Sequence, residues 1–143
     1  KFVYSLMADL FVGTWKCTAT ENLQAYLKEV GLSYELQKLV STSKPTLSFA
    51  IEGEEWTMNS QYSFTHYQET HTTNFALDEK FGDRTFDGRY VTNLFTLEGN
   101  TLFQRTKEVR GKTCRIERTV NGNTLTTVAE CNGVKSIRIF EKV

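Results

Sequence analysis

The chain has 143 residues, and 17 Lys and Arg balance 17 Asp and Glu, so it lacks the basic field that non-specific nucleic-acid binding requires. This length fits a single domain whose core is large enough to fold without a disulfide or a metal. Hydrophobic residues make up 39% and aromatic residues 13%, which excludes a disordered chain. No long apolar run predicts a membrane-spanning helix.

The first six residues are expected to lie outside the fold. They are too short for a secretory signal with an apolar core and a cleavage site, and Met7 suits a native start. We therefore expect residues 1–6 to be a leader or an expression remnant, and residues 7–143 to form one domain.

The three cysteines, Cys17, Cys114 and Cys131, form no CxxC pair and no metal-ligand spacing. An odd count without a disulfide framework is typical of free thiols in a reducing compartment. The sequence therefore predicts three unpaired cysteines that pack in the core, and a cytosolic address.

A first strand is predicted near Phe11–Ala19, and a helix follows it. Between residues 22 and 30 the apolar side chains recur at helical spacing. Thr20 or Asn22 can cap the start of this helix, and Gly31 can end it.

A second short helix is predicted directly after the first. Ser33 suits its N-terminal cap, Leu36, Leu39 and Val40 form its apolar face, and Pro45 closes the segment. Two helices joined by a glycine turn therefore interrupt the sheet after its first strand.

From Thr46 onward, hydrophobic and polar residues alternate with a period of two, which is typical of strands. Glycine turns separate these strands and predict hairpins in series. A meander this long must pack on another sheet or close on itself, and a barrel of about eight or more strands can hold a small ligand. The turn signals are Glu52-Gly53-Glu54, Asp87-Gly88, Glu98-Gly99-Asn100, Arg110-Gly111, Asn121-Gly122-Asn123 and Asn132-Gly133.

The predicted strand Thr113–Val120 carries a charge on its apolar face, where Arg118 lies with Cys114, Ile116 and Val120. Burying an unpaired guanidinium costs on the order of several kcal/mol, so Arg118 needs a partner. Several explanations stay open at this point: water, protein acceptors or an anionic ligand satisfy Arg118, it forms an interior ion pair, or a bulge turns it outward.

The last predicted strand, Gly133–Lys142, has apolar residues on both faces. Arg138 and Phe140 share one face, and Ile137 and Ile139 share the other. Periodicity alone leaves open which face looks inward.

Several segments match the motifs of one family in both sequence and spacing, and the resemblance extends over residues 9–142. The chain resembles the intracellular fatty-acid-binding proteins, which belong to the calycin superfamily. The resemblance implies an all-β fold, a ten-stranded antiparallel up-and-down barrel with a helix-turn-helix lid after the first strand. The matching segments are Phe11-Val12-Gly13-Thr14-Trp15-Lys16, Glu21-Asn22-Leu23, Tyr26-Leu27-Lys28-Glu29-Val30-Gly31, Ser43-Lys44-Pro45-Thr46, Asp87-Gly88-Arg89 and Arg138-Ile139-Phe140-Glu141-Lys142.

The resemblance implies that Arg118 and Arg138 hold the carboxylate of a fatty acid, with Arg138 facing inward. Acid-binding members usually add a tyrosine where this chain has Phe140, so one hydroxyl donor is missing here. Retinol-binding relatives carry glutamine at the arginine positions, so two arginines favour an acid over an alcohol. Phe64 matches a phenylalanine beside the portal. The other expected ligand-binding residues are Tyr26, Leu27, Leu36, Pro45, Leu47, Ser60, Tyr62, Asp87, Arg89 and Ile116.

We therefore expect a lipid chaperone that binds one long-chain fatty acid reversibly and carries it between membranes or to acceptor proteins. A retinoid or N-acylethanolamine carrier that signals in the nucleus is the alternative. Lys28, Lys38 and Lys44 either touch an anionic membrane during transfer or form an ordinary solvated face. We expect a cytoplasmic monomer without cofactor, metal or nucleic acid, and a partial basic cluster that includes Gln37 leaves nuclear import as an option.

Two other classes fit parts of the sequence. Lipocalins share Gly13-Thr14-Trp15, but they are secreted, are usually disulfide-linked and lack the two helices. An enzyme would need a reactive constellation, and no Ser-His-Asp pattern, phosphate loop or metal motif accompanies His66 and His71. We therefore expect no catalytic residue.

Overall fold

The computed structural model describes residues 6–109 and 111–143. Of the expected leader, residues 1–5 lie outside the described residues. Residues 6–8 form a helical turn that ends in the buried Ala8, and Phe11 three residues later is also buried. The indole Nε1 of Trp15 donates to the Phe11 carbonyl at 2.9 Å, so the segment before the first strand is part of the core.

The described chain contains ten strands and, after the first of them, two helices. Helix α1 spans Leu23–Val30 and helix α2 spans Tyr34–Thr42. The strands are β1 (Gly13–Glu21), β2 (Thr46–Glu52), β3 (Glu55–Ser63), β4 (Gln68–Ala76), β5 (Phe81–Arg84), β6 (Tyr90–Glu98), β7 (Thr101–Glu108), β8 (Thr113–Asn121), β9 (Thr124–Cys131) and β10 (Val134–Lys142).

All ten strands belong to one antiparallel sheet with the order β4-β3-β2-β1-β10-β9-β8-β7-β6-β5. The first strand pairs with the last, and this pairing wraps the meander around itself. Strands β4 and β5 stand at the two ends of that order, and no ladder joins them within the described residues. The result is a nearly closed up-and-down barrel with a gap between β4 and β5, which confirms the predicted fold class.

The helices begin and end close to the predicted residues. Asn22 occupies the N-cap of α1 in a left-handed conformation, and its side chain donates to the Lys135 carbonyl of β10 at 2.8 Å instead of capping the helix. Gly31 ends α1 with φ +111°, a region that favours glycine. Ser33 caps α2 as predicted, because its hydroxyl accepts from the Leu36 amide. The hydrogen bond from Asn22 to Lys135 joins the lid to the last strand.

The apolar residues form two clusters instead of one. Trp15, Phe95 and Leu102 are fully buried in the larger cluster, which also contains Phe49, Trp56 and Phe75. The smaller cluster lies beneath the helices, and its Tyr26 and Leu27 also line an interior cavity. Each large apolar side chain that folding buries contributes about 1.5–3 kcal/mol, so the larger cluster stabilises the barrel while the rest of the interior stays hollow.

The prediction of three free thiols was wrong. Cys114 and Cys131 form a disulfide between β8 and β9, with their Cα atoms 4.4 Å apart. The two residues lie directly opposite each other in the antiparallel register, where a short crosslink fits. Spacing in the sequence cannot reveal this, because the register depends on the β8–β9 turn. Cys17 is buried and unpaired, as expected.

Candidate functional site

The interior cavity has two compartments. The first has a volume of about 160 Å³ and lies at the level of β8 to β10, and the second has a volume of about 230 Å³ and extends toward β4 to β7. Together they approach the range of small-molecule sites. They are parts of one cavity because they share the lining residues Tyr26, Leu27, Val40, Ser60, Tyr62, Ile116 and Arg118.

Arg118 projects from β8 into this cavity, and only 8% of its surface is exposed. The pairing of β8 is regular through Arg118, so no bulge turns the side chain outward. Its Nη1 donates to the amide oxygen of Gln104 at 2.8 Å, and none of the ion pairs among the described residues includes it. Burial lowers the pKa of Arg118 to about 10, so the guanidinium stays charged at neutral pH with a neutral partner. Neither an ion pair nor a bulge therefore explains the buried charge among the described residues, and its neutral acceptor Gln104 is compatible with an anionic ligand beside it.

Arg138 projects from β10 into the first compartment. Its Nη2 donates to the Val40 carbonyl of α2 at 3.3 Å, while its buried Nε has no hydrogen-bond partner. The hydroxyl of Thr127 on β9 is also buried without a partner in the described structure. Two cationic side chains and a free hydroxyl therefore face a space that holds too few acceptors, and such a site can bind an anion.

The predicted site residues divide between the two compartments. Pro45, Leu47, Arg138 and Phe140 line the first, and Asp87 and Arg89 line the second. Tyr26, Leu27, Ser60, Tyr62, Ile116 and Arg118 line both. Leu36 and Phe64 line neither of these two compartments.

Phe140 is buried, with 4% of its surface exposed, and its ring lies two residues along β10 from Arg138. It contributes an apolar surface and no hydrogen bond to this end of the cavity. Tyr26 supplies a phenol from α1 on the opposite side. Burial raises the pKa of Tyr26, and the nearby Arg118 and Arg89 charges offset this in part, so the phenol is neutral at physiological pH.

Phe64 follows β3 and packs with other aromatic residues at the turn to β4. Its ring lies 6.3 Å from that of Tyr62 and 5.0 Å from that of Tyr67. Tyr62 in turn contacts Phe86, which lines the second compartment, at 5.3 Å. Phe64 therefore belongs to an aromatic group beside the cavity.

Asp87 and Arg89 connect the barrel to the lid. Arg89 donates to Asp87 at 2.8 Å, to the Val30 carbonyl at the end of α1 at 3.0 Å, and to Glu108. Burial acts to raise the pKa of Asp87, but the bonds from Arg89 and Thr85 outweigh it and hold that pKa below its ordinary value. This network fixes the C-terminal end of α1.

A second set of contacts holds the same end of the lid. Asn132 donates to the Glu29 carboxylate at 3.0 Å, and the Lys112 ammonium lies 3.5 Å from it. The bond from Asn132 and the charge of Lys112 lower the pKa of Glu29, so the carboxylate stays ionised. Half-buried and exposed side chains therefore supply the polar contacts that anchor the lid.

Sequence reasoning missed several polar residues of the cavity. Gln104 accepts from Arg118 and donates to Asn93 and Thr106, and Thr127 and Ser136 line the first compartment. All of these positions alternate with outward residues on their strands. Polar residues on a strand are ordinarily assigned to the solvent face, and a period of two does not by itself show which face points inward.

The two histidines lie in different surroundings. His66 is exposed in the turn after β3, and His71 lines the second compartment. Within residues 6–109 and 111–143, no three His, Cys, Asp or Glu side chains come together as metal ligands. In the same part of the chain, none of the helices is both long enough and apolar enough to cross a bilayer.

Comparison with known proteins gives the family. No family model matches the chain. Human fatty acid-binding protein 9 is 32% identical over 137 residues, which cover 96% of this chain and 100% of that protein. The crystal structure of fatty-acid-binding protein 1 from Echinococcus granulosus has a TM-score of 0.87 at 29% identity and covers 94% of this chain and 98% of that chain. The fatty acid binding protein of Schistosoma mansoni, solved in complex with arachidonic acid, has a TM-score of 0.86 at 27% identity and covers 94% of this chain and 96% of that chain. With a barrel, a lid and a cationic cavity of this kind, and with a relative that matches along its whole length, the chain belongs to the fatty-acid-binding protein family.

Proposed function

We propose that this protein binds one long-chain fatty acid, with the carboxylate at Arg118 and Arg138 and the acyl chain along the rest of the cavity. The observation that carries the proposal is the charged, buried Arg118, whose hydrogen-bond partner is the neutral Gln104. The arachidonic acid complex of the Schistosoma mansoni relative supports the same ligand class. Nothing in the site favours a reaction, so we propose a binding protein and no enzyme.

The apolar chain would supply most of the affinity. Each buried CH₂ contributes about 0.8 kcal/mol, so a long acyl chain gains on the order of 10 kcal/mol before the cost of ordering it. Each charge-assisted hydrogen bond to the carboxylate adds about 1.5–3 kcal/mol. Micromolar affinity needs about 8 kcal/mol, which the chain and the head group reach together. The arginines therefore decide the orientation of the ligand and the choice of an acid.

We also propose that the protein carries its ligand between membranes or to acceptor proteins as a monomer. Lys28, Lys38 and Lys44 are exposed on and beside the helices, where they can approach an anionic bilayer. If they act in this way, ligand transfer to vesicles accelerates with anionic lipid content and slows with salt. A transfer rate that ignores both variables would leave these residues an ordinary solvated face.

We propose a cytoplasmic location, with additional import into the nucleus as the alternative. The Cys114–Cys131 disulfide is relevant because cytosolic reductants keep most cysteine pairs reduced. Alkylation of the protein in freshly lysed cells, followed by intact mass measurement, gives the state of this pair. Quantitative oxidation together with an exclusively extracellular fraction would contradict the cytoplasmic proposal.

The experiment for the ligand compares an acid with its methyl ester. Displacement of a fluorescent fatty-acid analogue is measured for oleic acid and methyl oleate, with the natural chain and with Arg138→Met. We expect the variant to lose about tenfold or more in affinity for the acid and little for the ester, because only the acid presents a charged acceptor. Arg115→Met, an exposed arginine on β8, is the matched control. Equal losses for acid and ester would refute the role of Arg138 as a carboxylate ligand.

A further inference from the structure

Thr127 lies at the centre of the cationic end of the cavity. In the antiparallel register it stands directly opposite Arg118 on β8 and directly opposite Arg138 on β10. Residues opposite each other on neighbouring strands project to the same face, so the three side chains form one row across three strands. All three line the first compartment. Thr127 is therefore the residue that stands between the two arginines in this row.

The hydroxyl of Thr127 is buried and makes no hydrogen bond in the described structure. A buried hydroxyl without a partner is costly, and a valine of nearly the same shape would avoid that cost. Elsewhere in the described chain, threonine hydroxyls on the strands find side-chain partners, as Thr106 does with Asn93 and Thr101 does with Thr119. The unpaired hydroxyl of Thr127 indicates a hydrogen-bond partner that the described residues do not supply.

Arg138 on the next strand also has a buried polar group without a hydrogen-bond partner. This group is the Nε–H, which can only donate. The Thr127 hydroxyl and the Arg138 Nε–H do not bond to each other. Two unpaired donors on adjacent strands match an acceptor that has two oxygens, as a carboxylate does.

We propose that Thr127 is a head-group ligand: its hydroxyl donates to one carboxylate oxygen while Arg138 donates to the carboxylate through Nε. The proposal rests on the proposed fatty-acid function and deepens it, because it adds a residue that selects for the ionised acid. Of the two neighbours of Arg138 on this face of β10, Phe140 has no hydroxyl, and the Ser136 hydroxyl already donates to the Glu21 carbonyl. Thr127 thus gives the row Arg118–Thr127–Arg138 a neutral donor between two charged ones.

The test uses Thr127→Val, which removes the hydroxyl and keeps the shape, and Thr127→Ser, which keeps the hydroxyl. Thr126→Val is the matched control, because Thr126 is the next residue on β9, faces the other side of the sheet and does not line either compartment. Affinities for oleic acid and methyl oleate are measured by displacement. We expect Thr127→Val to weaken acid binding about tenfold, while Thr127→Ser and Thr126→Val stay within about threefold of the natural chain.

A second readout reports the head group directly. The ¹³C resonance of oleic acid labelled at the carboxyl carbon is recorded in the complex, and we expect it to shift in Thr127→Val and not in Thr126→Val. Unchanged or tighter acid binding by Thr127→Val, or equal losses for acid and ester, would overturn the role of Thr127. A natural chain that binds neither ligand, or binds the acid no better than the ester, would refute the proposed function itself. The two failures are therefore distinguishable.

Discussion

Replacing Arg118 with methionine should make the ligand-free protein more stable and the complex weaker. Burial lowers the pKa of Arg118 to about 10, and this drop from its ordinary value corresponds to about 3 kcal/mol against the charged form. Methionine fills a similar volume without a charge. Its drawback is that the Gln104 oxygen loses its donor, which costs about 1 kcal/mol. We therefore expect Arg118→Met to raise the free energy of unfolding by about 1–2 kcal/mol.

The same substitution removes a charge-assisted hydrogen bond to the ligand. A loss of about 1.5–3 kcal/mol corresponds to roughly 10- to 100-fold weaker binding of oleic acid. Urea denaturation of the delipidated protein gives the stability, and displacement titration of the same sample gives the affinity. Both are measured at neutral pH, where Arg118 is charged.

Arg115→Met serves as the control for both measurements, because Arg115 is exposed on the same strand. We expect it to change the free energy of unfolding by less than about 0.5 kcal/mol and to leave the affinity unaltered. If Arg118→Met were less stable than the natural chain, the buried charge would be well compensated by the fold. The case for an anionic ligand would then lose its main support.

Two further predictions concern pH and redox state. Affinity for oleic acid should stay constant from about pH 7 to about pH 9 and fall as the pH rises through about 10, because burial lowers the pKa of Arg118 to about 10 and the free protein loses this proton there. Calorimetric titration should show proton uptake on binding in that range, and Arg118→Met should abolish the uptake; a pH profile shared by both proteins would contradict the assignment. Cys114→Ser should lower the free energy of unfolding by about 3 kcal/mol, because the disulfide closes a loop with a sequence separation of 17. A reducing agent should destabilise the natural chain equally and leave Cys114→Ser unchanged; if it affects neither, the crosslink contributes nothing to stability.

The strands and helices could be predicted because their signals are local. Alternation from Thr46 onward, glycine turns and the Ser33 cap each act within a few residues, and the structure has strands and the second helix where these signals place them. The connections after β3 and β4 carry no glycine signal, and the count of ten strands came from the family resemblance. The first strand begins at Gly13, two residues later than predicted, because the preceding segment forms turns around Phe11. Closure of the sheet by β1 and β10 joins the two ends of the chain and was available through the family resemblance alone.

The site was harder to predict because its residues meet across strands. Arg118 stood out because a charge interrupts an apolar face. Thr127 and Gln104 gave no such signal, since a polar residue on a strand usually faces solvent. The Cys114–Cys131 disulfide was missed for the same reason, because it depends on a register and not on a motif.

The gap between β4 and β5 is the place where the barrel wall can open with the fewest broken hydrogen bonds. Parting any two hydrogen-bonded strands breaks several backbone bonds at once, whereas no ladder crosses this seam within the described residues. Strand β5 has only four residues, so little of the wall has to move for the seam to widen. If the proposed fatty acid enters here, the other strands of the barrel keep their hydrogen bonds.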